Sequence, residues 1–159
     1  SAMITNETLM RATAATGKKV IFSTGMSTYE EIDQAVQWLE GSDCVMLHCN
    51  STYPAPLEDL NLSCIKTLSD RYECEVGYSG HEFRLGTTVA AVYLGATYLE
   101  RHITLDRASW GTDQSASLGE EGIKELTNIL SKTSQTLGDG IKRFSKEERQ
   151  ISKKFRYWN

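Results

Sequence analysis

Apolar and polar positions along the chain alternate between two periods. The run KKVIFSTGM is apolar between flanking lysines and ends in a Ser-Thr-Gly turn, as a short buried strand does. The stretch STYEEIDQAVQWLEG follows, apolar at Ile32, Val36 and Leu39, with Ser27 or Thr28 as N-cap, Glu30 and Glu31 in the first turn and Gly41 as the stop. Those features predict a helix. The strand-then-helix pattern returns as CVMLHCN, the loop STYPAPLEDLN and a helical segment with Leu62, Ile65 and Leu68 on one face. It returns again as CEVGYSGHEF with LGTTVAAVYLGA, and finally as TYLERHITLD, the loop RASWGTDQSASLG and EEGIKELTNILSKTSQTLG. Ser117 or Gly119 opens that last helix; Asp113 lies too far upstream to cap it.

Strands alternating with helices at this spacing predict an α/β fold of parallel strands joined by right-handed crossovers. Chemistry in such folds gathers at the C-terminal strand ends. Here every strand exits into polar or special residues: Ser23-Thr24-Gly25, His48-Cys49-Asn50-Ser51, Ser79-Gly80-His81 and Glu100-Arg101-His102. His81 and His102 occupy equivalent ends of consecutive strands. Neighbouring parallel strands lie about 4.8 Å apart, so side chains from those ends can converge on one ion. His48 sits inside an apolar run beside Cys49 and reads as a structural residue in or beside the core. The turns STGMS and YSGH place hydroxyls and glycine-flanked amides at strand-to-helix junctions, which suit an anionic ligand.

Composition removes several alternatives. The 159 residues are 40% hydrophobic and 24% charged with two prolines, a globular profile long enough for one domain with a real core. A net charge of -4 argues against a nucleic-acid or anionic-membrane surface. The longest apolar runs, such as VAAVYLGA, fall well short of the roughly 20 residues that span a bilayer. The start SAMITNETLM has neither a basic leader nor an apolar core of signal length, so a cytoplasmic location is expected. Cys44, Cys49, Cys64 and Cys74 show no CxxC pairing and read as reduced, mostly packing thiols.

The runs FSTGMST, LHCNSTYPAPLEDLNL, VGYSGHEFRLG, AVYLGATYLERHITLD and GTDQSASL, in this order, resemble the N-acetylneuraminate (sialic acid) synthases and their relatives that make legionaminic and pseudaminic acids. The resemblance covers about residues 1–143. It implies a TIM barrel, followed in the family by a small antifreeze-like domain. It also implies condensation of phosphoenolpyruvate with an N-acetylated hexosamine, such as N-acetylmannosamine or a 2,4-diacetamido sugar. A divalent metal, Mn²⁺ ahead of Mg²⁺ or Co²⁺, takes part. By position, His81 and His102 match the metal-binding histidines, Ser23, Ser51 and Ser79 the contacts to phosphoenolpyruvate, and Tyr53 and Asp113 the contacts to the sugar.

Two departures accompany the resemblance. Where the family usually has Ser-Asp-His, this chain has Ser79-Gly80-His81, so a carboxylate expected beside the metal ligand is missing. A TIM barrel needs about 250 residues, so residues 1–143 are expected to form its C-terminal half, (βα)₄ in content, with residues 144–159 as a basic, aromatic tail, solvated or packed on a neighbour. The N-terminal half, with the family's phosphate-gripping lysines and acid-base glutamate, and the antifreeze-like domain are expected to be absent. Such a fragment is expected to be inactive alone and to associate, as a homo-oligomer or with a complementing half-barrel. A non-catalytic half-barrel serving in binding or assembly, and a phosphoenolpyruvate-dependent synthase of the deoxy-sugar-acid type, stay open as alternatives.

Overall fold

The computed structural model describes residues 1–158. Four strands, β1 (Val20–Ser23), β2 (Cys44–Cys49), β3 (Glu75–Gly80) and β4 (Leu99–Arg101), are parallel and lie side by side in chain order. Among the described residues six α-helices accompany them: α1 (Glu7–Ala14), α2 (Tyr29–Trp38), α3 (Cys64–Tyr72), α4 (Gly86–Tyr93), α5 (Glu120–Leu137) and α6 (Lys146–Phe155). The parallel strands follow the strand-helix rhythm, and the sheet curls as half of a TIM barrel, as the resemblance implies.

Local chemistry sets the helix ends. Thr28, not Ser27, caps α2 through a capping box in which the Glu31 amide donates to its Oγ1 and the Thr28 amide donates to the Glu31 carboxylate. Gly41, at φ 82°, turns the chain back toward β2. Gly119 precedes α5 and Gly138, at φ 62°, ends it. Helix α6 lies in the segment expected to be a tail: Ser145 and Glu148 form a second capping box, while none of its described residues is buried. Helix α1 has no counterpart in the strand-helix rhythm; Asn6 caps it and Met10 anchors it in the core.

Strand alternation divides the sheet into two faces. One side buries Val20, Met46, Val76 and Tyr78 against Ile32, Ala35, Ile65, Leu68 and Ala91 of the helices. Each fully buried large side chain there contributes about 1.5–3 kcal/mol. On the other, inward side the register aligns Ile21 with Val45, Ser23 with Leu47, Leu47 with Gly77, Cys49 with Ser79, and Ser79 with Glu100. Only glycine fits at 77, because a Cβ would stand 2.5 Å from Leu47 Cδ2 and from the Tyr98 carbonyl.

Strand β4 is shorter than the run TYLERHITLD. Past Arg101 the backbone leaves β3 and pairs with its own returning loop: the Leu118 amide donates to the His102 carbonyl at 2.8 Å and the Thr104 amide to the Leu118 carbonyl at 2.9 Å. Among the described residues all four cysteines are free, and no helix is long and apolar enough to cross a membrane.

Candidate active site at the strand ends

The residues singled out by sequence meet at the C-terminal rim of the sheet. Ser23, Ser51, Ser79, Tyr53, His81 and His102 all line one cavity of about 420 Å³. Asp113 reaches the same place from the loop before α5, its Oδ2 3.6 Å from His102 Nδ1. That approach follows from the 102–118 pairing, which folds the loop back over the end of β4.

His81 is held from two sides. Its Nδ1 lies 2.7 Å from the Asn50 carbonyl. A carbonyl oxygen only accepts, so Nδ1 carries the proton and, in the neutral ring, Nε2 keeps its lone pair. Tyr53 OH stands 3.0 Å from that Nε2. The loop after β2 brings Tyr53 there, since the Ala55 amide donates to the His81 carbonyl at 3.2 Å. The His81 and His102 rings are 5.1 Å apart at near right angles, and the Tyr53 ring lies 4.1 Å from His81 and 5.4 Å from His102.

This geometry fits a metal. Ligating histidines hold one ring N–H on a carbonyl or carboxylate and present the other nitrogen to the ion; His81 does so against Asn50, and His102 directs Nδ1 toward Asp113. Among the described residues no group of three or more His, Cys, Asp or Glu side chains converges as a ready ligand set. Two imidazoles leave the remaining positions to water and substrate, as a catalytic metal site requires.

Two inward residues were not legible as site residues. Glu100 lines the cavity and accepts a hydrogen bond from Ser79 Oγ at 2.8 Å. The Ser79 proton is therefore committed, and a carboxylate stands among the hydroxyls expected to hold an anion. The alternation Glu100, His102 within LERH is the signal that could have found it. Cys49 lies 3.8 Å from His81 Nδ1 and 3.6 Å from Ser51 Oγ. Burial disfavours its thiolate, but hydrogen bonds from His81, Ser51 and Ser1 outweigh this and bring the thiol from 9.0 down to about 7. Burial likewise opposes a charge on His81, and is outweighed by Cys49 and the Asn50 carbonyl, so that His81 is raised.

Two strand-exit glycines have packing roles, and His48 is structural, as its apolar setting predicts. The glycine of Ser-Thr-Gly serves packing: a Cβ on Gly25 would collide with Ser51 Oγ and meet Cys49 Sγ at 3.0 Å. Gly80 turns its missing side chain away from the cavity, where a Cβ would meet Tyr78 Cε1 at 2.7 Å, Glu82 Oε2 at 2.9 Å and Arg101 Cδ at 3.2 Å. A carboxylate at position 80 would thus point into the helix-facing layer, away from the cavity that His81 lines. His48 is structural, its Nε2 donating to the Leu60 carbonyl at 2.7 Å. A separate cleft of about 550 Å³ beside His48, Cys64 and α2 contains neither paired histidine.

The family model described as NeuB family matches residues 1–142. The chain is 37% identical over 155 residues to the N,N'-diacetyllegionaminic acid synthase of Campylobacter jejuni, covering 94% of this chain and 46% of that protein. It is 39% identical over 137 residues to the human N-acetylneuraminate-9-phosphate synthase, covering 84% and 38%. The crystal structure of the N-acetylneuraminic acid (sialic acid) synthetase of Leptospira borgpetersenii superposes with a TM-score of 0.85 at 33% identity, covering 98% of this chain and 55% of that one. The chain spans less than half the length of these two curated relatives.

Proposed function

Because the chain belongs to the NeuB family, we propose that it carries the metal- and acceptor-binding part of a sialic-acid-type synthase site. The reaction joins carbon 3 of phosphoenolpyruvate to the aldehyde carbon of an open-chain N-acetylated hexosamine, N-acetylmannosamine or a 2,4-diacetamido relative; water adds at carbon 2 and phosphate departs. The observation that carries this reading is the pair of imidazoles at adjacent strand ends, each with one nitrogen turned toward an acceptor.

His81 and His102 would hold a divalent cation, Mn²⁺ foremost, which would supply Lewis-acid polarisation of the aldehyde oxygen. The rest is done by the chain's own groups. Tyr53 OH, now donating to His81 Nε2, is free to turn to the sugar once that nitrogen is engaged. Asp113 orients His102 and offers its second oxygen to a sugar hydroxyl. Ser23 and Ser51 contribute hydroxyls to the phosphate and carboxylate of phosphoenolpyruvate, while Ser79 is tied to Glu100 and contributes less. Glu100 repels an anion and, among the described residues, no lysine or arginine lines the cavity, so tight phosphate binding needs further cations, and the isolated chain is expected to release no phosphate from phosphoenolpyruvate and N-acetylmannosamine.

The inward face, with Ile21 51% exposed, calls for a complementing half-barrel or a second copy; light scattering that finds a monomer at every concentration would sink that part. For the site itself, sub-stoichiometric Mn²⁺ should broaden the NMR resonances of His81, His102 and Tyr53 first. Broadening that begins at the opposite rim, around Lys19 and Glu75, would overturn the reading.

A further inference from the structure

On the helix-facing side, directly behind the two histidines, lies a closed polar cluster that the chemistry above does not use. Glu82 follows His81 and Arg101 precedes His102, so both point away from the cavity by strand alternation. Both side chains are buried, 1% and 5% exposed, and Arg101 Nη1 stands 3.1 Å from Glu82 Oε1. Tyr78 OH donates to Glu82 Oε2 at 2.9 Å, Thr87 Oγ1 donates to Oε1, and Arg101 Nη1 also donates to Thr88 Oγ1 at 2.7 Å. The second guanidinium nitrogen donates to the backbone carbonyl of Glu82 itself.

We propose that Arg101 and Glu82 are positioning residues that set the spacing of His81 and His102 by clamping the exit of β3 to β4. The clamp holds backbone: Arg101 grips the carbonyl one residue beyond His81, and its own Cα is one residue before His102. The imidazoles hang from the two segments so joined, which makes their 5.1 Å separation a property of the clamp. Stability alone is a weak reason to keep such a pair, since desolvation offsets much of its attraction, and Arg101 Nε is buried with no partner among the described residues. Geometry is the stronger reason. Lysine could supply the charge but not two donors in a fixed plane. Gly80 completes the device, for any Cβ there would strike Tyr78 and Glu82.

The functional consequence rests on the two-histidine metal reading, whereas the geometric claim does not. Arg101→Lys and Glu82→Gln are compared with wild type and with Leu68→Ala, a destabilised control in α3, after circular dichroism establishes which are folded. In metal-free protein, the ring-to-ring nuclear Overhauser effect between His81 and His102 should weaken severalfold in the clamp variants and persist in the control. Mn²⁺ affinity should fall about tenfold in the clamp variants and hold in Leu68→Ala. An unchanged ring contact and unchanged Mn²⁺ affinity in either folded clamp variant overturns the inference. If wild type fails to bind Mn²⁺ while the ring contact still depends on Arg101, the metal reading fails and the clamp stands. Should neither clamp variant fold while Leu68→Ala does, the pair is a folding element and the positioning claim is overturned.

Discussion

The two faces of the sheet are made of alternate residues of the same strands, yet they solve opposite problems. Toward the helices, Met46 is 1% exposed and Tyr78 1%, and the buried carboxylate of Glu82 is paired with the Arg101 guanidinium. Toward the barrel axis, Ile21 is half in solvent, and Ser23, Ser79 and Glu100 line a cavity. Two histidines make the contrast concrete. His48, on the helix side of β2, spends its ring nitrogen on a carbonyl and is lowered by burial, only partly offset by that bond. His81, past β3 on the inner side, keeps a nitrogen toward the cavity and is raised. A face that completes its burial locally supplies stability, and a face left incomplete supplies chemistry.

Stability should break the symmetry most. Met46→Ala removes a fully packed side chain and is expected to cost about 2–5 kcal/mol. Ile21→Ala, on a half-exposed inward position of the adjacent strand, should cost less than about 1 kcal/mol. Urea midpoints decide it, and equal losses would mean that the inward face is covered in solution.

Metal affinity comes next. His81→Ala and His102→Ala should each weaken Mn²⁺ binding at least about a hundredfold, beyond the loss typical of supporting residues, while His48→Ala leaves it unchanged. Calorimetric titration of the three variants tests this, and equal affinity in all would remove the distinction between the faces.

Cys49 sharpens the comparison through pH. Its thiol is depressed from 9.0 to about 7 in the fold, so the folded state favours the thiolate. The resulting stability is present above pH 9 and is lost as pH falls through 7, on the order of 2 kcal/mol in all. A thiolate absorbance step near pH 7 should vanish in Cys49→Ser; Cys44 and Cys74, raised by burial, cannot produce it. A step that survives the substitution would place the low-pKa thiol elsewhere.

The smallest effect is one of sign. His48 is lowered, so its contribution is present above 6.5 and lost as pH falls below that value, because the unfolded chain takes up the proton first. His81 is raised, so its contribution is present below 6.5 and lost as pH rises through its folded value. Imidazole NMR titrations should bracket 6.5 from the two sides; midpoints on the same side would contradict the assignment of the rings to opposite faces.

Much of this was legible in one dimension. Apolar periodicity, the Thr28 and Gly41 signals and the polar strand exits are local, and local rules determine them: four strand-helix units, parallel strands, and a rim bearing Ser23, Ser51, Ser79, His81 and His102 follow from residue order. Tertiary structure decided what depends on which face a parity selects and on which loops return. It turned His48 and Gly80 toward the helices, brought Glu100 into the cavity and Cys49 against His81, and carried Asp113 back to His102 through the pairing of 102–104 with Leu118. A strand's alternation can be read from its own residues, but the side that becomes the inside is set by the packing of helices contributed by the whole chain.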